Sequence, residues 1–210
     1  MGTTQLDALE GKSDVGEDGV RHPVLHHVNL KTTRLGEMID WYALAVGMRP
    51  NFRADTIAFL TNDDANHRLA LLAVPGLYDD PEKVPHSGIH HTAFEFASLE
   101  DLLGRYQTLK AAGSEPHGCV DHGLTMSFYY LDPDGNSVEL QSDNFGDWAD
   151  SAKWMRTSAD FVADPIGKFV DPDKLVDASA GGMSAAEIHR RAYAGEFEPT
   201  AAPDLRLPAA

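Results

Sequence analysis

The sequence predicts an α+β fold: two βαβββ modules forming an open curved barrel around a metal site, followed by an irregular and helical C-terminal extension. Three observations lead there. Histidine-rich runs recur 64 residues apart, "HPVLHHVNL" from His22 and "HSGIHHTAF" from His86, and pair His22 with His86, Leu25 with Ile89, His26 with His90 and His27 with His91. Each run leads into apolar residues at helical spacing and then into strand-like segments. From Phe145 onward the texture changes to tryptophan-bearing stretches broken by Pro and Gly.

The elements follow in chain order. Leu35, Met38, Ile39, Tyr42 and Val46 mark the first helix, and Leu99, Leu102, Leu103, Tyr106 and Leu109 the second, with Gly47 and Gly113 as stops. Ser98 with Asp101 three residues on resembles a capping box. Strands are expected at "DTIAFLT" and "HRLALLAV" in the first copy, and at "LTMSFYYL" and "NSVELQS" in the second, where "DPDGN" supplies the hairpin turn. Strands before "DTIAFLT" and near "EPHGCV" are weakly marked. The module pair is expected over residues 20–145 (modules about 21–75 and 86–142), and the extension over 146–210, packing on the domain or at a subunit interface. Within it, Ser184 and Glu187 have capping-box spacing ahead of a helix.

The totals narrow the function classes. The chain has 210 residues, 42% hydrophobic and 24% charged, which suits a soluble globular protein. Its net charge of −16 argues against a nucleic-acid surface. No apolar run suits a membrane span, and the amino terminus lacks the basic start and apolar stretch of a leader, so a cytoplasmic location is expected. The single cysteine, Cys119, requires no oxidising compartment.

Strand alternation selects the candidate ligands. Val28 and Leu30 face the helix, so Leu25, His27 and Asn29 face away; in the second copy Phe94 and Phe96 face the helix, and Ile89, His91 and Ala93 face away. Glu139 alternates with Val138 and Leu140 and falls on the same side as His91. His27, His91 and Glu139 are therefore expected to converge. His26 and His90 fall on the opposite faces as structural residues, and His22, His86 and His189 are assigned to surface or packing. Tyr130, Trp41 and Tyr42 are assigned to packing, Asp132 and Asp134 to the turn. Two neutral imidazoles and a carboxylate on a divalent metal leave open positions and a net charge of about +1, favouring an anionic chelator. Iron, zinc and manganese all suit this donor set.

Together, "HHVNL", "HHTAFEF" and "SFYYLDPDGNSVEL" resemble the vicinal oxygen chelate (glyoxalase/bleomycin resistance/dioxygenase) superfamily, and within it the one-domain class of type I extradiol ring-cleavage dioxygenases. The resemblance covers about residues 20 to 145. It implies Fe(II), or Mn(II), held by His27, His91 and Glu139, with Asn29, His67, His122 and Tyr129 in catalytic roles. His67 would serve the oxygen side and then donate a proton; Tyr129 and His122 would hydrogen-bond the substrate oxygens. The implied reaction is opening of a catechol ring next to the diol with both atoms of O2 incorporated, by a cytoplasmic homo-oligomer in aromatic catabolism. Two features depart from the family pattern: a longer segment between His67 and His91, containing "GLYDDPEKVP", and a shorter spacing from His122 to Tyr129. Competing readings are a glyoxalase-like isomerase or thiol transferase, disfavoured because Leu69 or a near neighbour stands where a second carboxylate is needed, and a non-catalytic small-molecule-binding protein.

Overall fold

A computed structural model of the chain describes residues 19–208. The leader-like features weighed for the first residues lie outside the described part. The first module comprises β1 (Val28–Lys31), α1 (Leu35–Val46), β2 (Arg49–Arg53), β3 (Ile57–Thr61) and β4 (Leu69–Leu72). The second comprises β5 (His91–Phe96), α2 (Leu99–Ala111), β6 (Gly118–Asp121), β7 (Thr125–Leu131) and β8 (Ser137–Asp143). In each, the first strand pairs in parallel with the last, β1 with β4 and β5 with β8, and the rest is antiparallel.

Local chemistry sets the helix ends. Gly47 adopts φ 67° after α1, so its N–H returns to the Ala43 carbonyl at 3.1 Å and the Met48 N–H to that of Tyr42 at 3.2 Å. Ser98 caps α2 by accepting from the Asp101 N–H at 3.1 Å and donating to its carboxylate at 3.0 Å. Helix α1 buries Met38, Ile39, Tyr42, Ala45 and Val46 against its sheet, where each large apolar side chain contributes about 2 kcal/mol.

The register makes the two modules equivalent strand by strand. Asn29, Ala70, Phe59 and Phe52 form one cross-strand row in the first sheet; Ala93, Glu139, Tyr129 and Gly118 form the matching row in the second. The first-module counterpart of Glu139 is therefore Ala70, next to the expected Leu69. A small apolar residue stands where a second carboxylate would be needed.

Within the chain the modules meet through their helical sides. Helix α1 lies against α2, and the Tyr42 ring packs edge-on to Phe94 at 6.2 Å. Tyr42 Oη donates to Asp132 Oδ2 at 3.3 Å, and Arg34 bridges to Asp134 at 2.7 Å. Asp132 does form the turn, accepting from the N–H groups of Asp134 and Asn136, but both aspartates also clamp the first module. The sheets stay separate among the described residues, so a single chain does not close a barrel.

The extension packs on the second module through α3 (Trp148–Thr157), α4 (Ala159–Ala163), β9 (Lys168–Phe169), α5 (Pro172–Ala180) and α6 (Ala185–Tyr193). Strand β9 joins the edge of β6, a two-residue pairing too short for alternation to mark. Helix α5 lies on α2, where Asp173 accepts from Tyr106 Oη and Lys110 Nζ. No helix among the described residues is long and apolar enough to cross a membrane.

Candidate metal and catalytic site

The second module presents one half of the site on the face away from its helix. His91 opens β5, while Glu139 on β8 and Tyr129 on β7 are direct cross-strand partners, only 6% and 8% exposed. His91 Nε2 stands 3.0 Å from Glu139 Oε2, and Tyr129 Oη donates to Glu139 Oε1 at 3.0 Å. Burial pushes the Glu139 carboxyl up, but the adjoining His91 imidazole and hydrogen bonds from Ser127 and Tyr129 outweigh it and hold the group below the usual glutamate range. Burial first, then the Glu139 charge, pushes the Tyr129 phenol well above its ordinary value.

The hydrogen bonds behind His91 determine where its lone pair points. His90 Nε2 lies 3.0 Å from the Leu205 carbonyl, which can only accept. With both rings neutral, His90 Nδ1 is then the acceptor of the 2.8 Å contact with His91 Nδ1, so His91 carries its proton there. Its Nε2 lone pair thus faces an ionised carboxylate at 3.0 Å. Two acceptors at that range require a cation between them, a proton or a metal ion. Two ligands at right angles, each about 2.1 Å from an ion, stand about 3.0 Å apart, so the pair fits two adjacent positions on a metal.

His122 follows β6 in the turn to β7, and the extension holds it. Its Nδ1 donates to the Ile166 carbonyl at 2.6 Å, leaving Nε2 2.8 Å from Tyr129 Oη. Gly123 and Gly167, both with positive φ, allow the surrounding clasp: a Cβ on Gly123 would lie 2.2 Å from the Trp154 ring, and one on Gly167 would lie 2.1 Å from the Asp121 carbonyl oxygen. The fully buried Asp121 carboxylate accepts from His189 Nδ1 at 2.7 Å and from the Gly123 N–H. His189, assigned to surface or packing from the sequence, ties α6 to this turn.

The first module presents the other imidazoles. His27 precedes β1, His67 precedes β4, and their rings lie 4.3 Å apart with His26 beside both. Among the described residues, His26, His27 and His67 are the one set of three potential ligands within 4.8 Å of one another. Desolvation, then the neighbouring His27 and His26, lowers the proton affinity of His67. Asn29 is exposed on β1.

Thus the structure brings His91, Glu139, Tyr129 and His122 into one hydrogen-bonded chain and groups His27 with His67. It does not gather His27, His91 and Glu139 within 4.8 Å in one chain; the expected convergence fails there because the modules meet through their helices. The assignment of His26 and His90 to the opposite faces also fails. Both precede the regular strands, so alternation does not apply, and each touches the next histidine, at 3.1 Å and 2.8 Å. The repeated His-His doublet was the signal that could have exposed this role. Nothing in the sequence marked the Leu205 and Ile166 carbonyls, because any residue supplies one.

Comparison with known proteins agrees with this fold. The model of the Glyoxalase/Bleomycin resistance protein/Dioxygenase superfamily matches residues 24–140, and the chain belongs to that superfamily. Within it, the chain groups with relatives from Rhodococcus globerulus. It is 38% identical over 177 residues to biphenyl-2,3-diol 1,2-dioxygenase 2, covering 84% of this chain and 92% of that one. It is 40% identical over 177 residues to biphenyl-2,3-diol 1,2-dioxygenase 3, with the same coverage. A solved glyoxylase/bleomycin resistance protein/dioxygenase domain from Frankia sp. EAN1pec aligns with a TM-score of 0.49 at 20% identity, covering 58% of this chain and 98% of that one.

Proposed function

We propose that the protein is an Fe(II)-dependent extradiol dioxygenase that opens the ring of a catechol, with biphenyl-2,3-diol as the first candidate given the names of its relatives. The observation that carries this reading is the meeting of His91 Nε2 and Glu139 Oε2 at 3.0 Å, backed by Tyr129 and His122. His91 and Glu139 would hold the iron, with His27 as the third ligand that the resemblance implies although one chain does not bring it within 4.8 Å of them, and Mn(II) suits the same donors. Bound there, Fe(II) supplies a Lewis-acid seat for the diol and the electron chemistry that activates O2.

The chain's own residues manage protons. With His122 Nδ1 donating to the Ile166 carbonyl, Nε2 is free to take a proton through Tyr129 Oη. A protonated His122 lets Tyr129 keep donating to Glu139; a neutral one competes with Glu139 for the Tyr129 proton. This pair suits removal of a proton from a catechol hydroxyl as the diol binds as an anion. His67, with lowered proton affinity, is poised as a neutral imidazole on the first-module side, and Asn29 lines the same face. The absence of a carboxylate at Ala70 supports this reading over a glyoxalase-like site with two carboxylates.

Anaerobic loading with Fe(II), then biphenyl-2,3-diol and air, tests the proposal. The expected result is oxygen uptake with a yellow ring-fission product. Iron-loaded protein that consumes no oxygen with any of a panel of substituted catechols would overturn it.

A further inference from the structure

We infer that the tail segment Pro203–Leu205 forms a wall of the substrate pocket and that the Leu205 side chain selects which ring substituent the diol carries. This role rests on the dioxygenase reading above and names the residue that sets the substrate range.

Two imidazoles hold the tail from opposite sides of the second sheet. His117, ahead of β6, donates from Nδ1 to the Asp204 carbonyl at 2.6 Å, and its own carbonyl accepts from the Asp204 N–H at 3.0 Å. His90, ahead of β5, donates from Nε2 to the Leu205 carbonyl at 3.0 Å. Strands β7 and β8 lie between β6 and β5, so the tail crosses the ends of both. The crossing is on the face that carries Glu139. His117 Nε2 reaches Ser137 Oγ at 3.0 Å, and Ser137 is the cross-strand partner of His91, two residues before Glu139 and on the same side of β8. The His117 ring also stands 6.1 Å from the Tyr129 ring.

Gly118 lets the tail come close. It ends the row of Ala93, Glu139 and Tyr129, and a Cβ there would lie 3.4 Å from Pro203 Cβ and 4.0 Å from Leu205 Cδ2. Neighbouring strands are about 4.8 Å apart, so this contact stands about 10 Å across the sheet from Glu139. A diol ring seated at His91 and Glu139, with a second ring attached, covers that distance. Leu205 is half-buried but is not part of the hydrophobic core under the helices. Its apolar surface is left to whatever fills the pocket.

The wall is also uncharged. The Asp204 carboxylate accepts from the Arg206 N–H at 2.8 Å and has the Arg206 guanidinium 3.7 Å away, so these two charges answer each other. Pro203 and Leu205 therefore offer hydrocarbon. That suits an aryl or alkyl substituent and rejects a charged one, because burying a charge without a partner is costly.

Anaerobic titration calorimetry of the Fe(II)-loaded protein tests the wall without turnover. Wild type should bind biphenyl-2,3-diol more tightly than catechol. Leu205→Ala should weaken biphenyl-2,3-diol about tenfold or more, the usual cost of removing methylene contacts from an apolar pocket, and leave catechol within about twofold. Leu205→Trp should weaken biphenyl-2,3-diol further by filling the space, again sparing catechol. Unchanged catechol affinity shows in each case that the variant folds and holds its metal. Leu207→Ala, at a side chain 60% exposed two residues on, should leave both affinities as they are.

Equal affinities of wild type for the two diols overturn the proposal, as do Leu205 variants that bind both as wild type does or lose both alike. Should wild type bind the diols but take up no oxygen with them, the ring-cleavage reading falls, while the affinity ratios still decide the wall.

Discussion

At the scale of single residues, the orientation of His91 depends on a carbonyl 114 positions away in sequence, relayed through His90. Second partners of ligand histidines commonly tune affinity by tenfold or more. His90→Phe should therefore weaken Fe(II) binding about tenfold, while His90→Gln, which can still accept from His91 Nδ1, should restore part of the loss. Chelator competition measures both. Equal affinities for wild type and His90→Phe would show that the relay does not matter. Tyr129→Phe should behave differently. It removes the link between His122 and Glu139 but no metal donor, so iron should stay bound while turnover falls by about a hundredfold or more. Titration of iron alongside steady-state kinetics separates the two effects.

At the scale of elements, the extension acts as a brace for the β6–β7 turn. The left-handed conformations of Gly123 and Gly167 and the neighbours at 2.2 Å and 2.1 Å leave no room for a side chain. Gly167→Ala should cost about 2 kcal/mol or more, because its obstacle is backbone that cannot swing aside; a urea denaturation series reads this directly. Titration also reaches the tail through His117, which contacts the Asp204 carbonyl at 2.6 Å and Ser137 Oγ at 3.0 Å. Burial, partly offset by the Asp204 carbonyl, lowers its proton affinity. The native chain thus binds fewer protons here than the unfolded chain. The stability from this histidine is in full above the ordinary value of 6.5 and is lost as pH falls through the lowered one. Urea midpoints measured from pH 8 to pH 5 should fall less steeply in His117→Gln.

The elements also show what the sequence could disclose. Helices α1 and α2, their glycine stops, the Ser98 cap and the β7–β8 hairpin rest on local periodicity and turn chemistry, which residues carry on their face. Alternation set Glu139 on the side of His91, while Tyr129 entered through the family resemblance alone. Strand β9 did not, because two residues hold no period, and neither did the roles of Asp132 and Asp134 as clamps, since turn-forming aspartates look alike whether or not an arginine waits for them. The His26 and His90 contacts were missed because alternation was extended past the ends of the strands. Which faces of the two modules would meet was beyond periodicity altogether.

At the scale of the whole molecule, the chain is two modules of equivalent strand register on a shared helical core. The Arg34–Asp134 bridge holds that core together, with the Asp134 side chain only 7% exposed, whereas Arg68–Asp63 is a surface pair with 39% and 44% exposure. Arg34→Met leaves a buried carboxylate without its cation and should lower stability clearly more than Arg68→Met. Equal effects in paired thermal melts would mean that the modules do not depend on this contact.

The central claim is that His91 and Glu139 share one metal ion. Anomalous diffraction at the iron edge from crystals of Fe(II)-loaded protein tests it most directly. The account predicts a peak bonded to both His91 Nε2 and Glu139 Oε2. A peak enclosed by His26, His27 and His67 of one chain, with none beside Glu139, would contradict it.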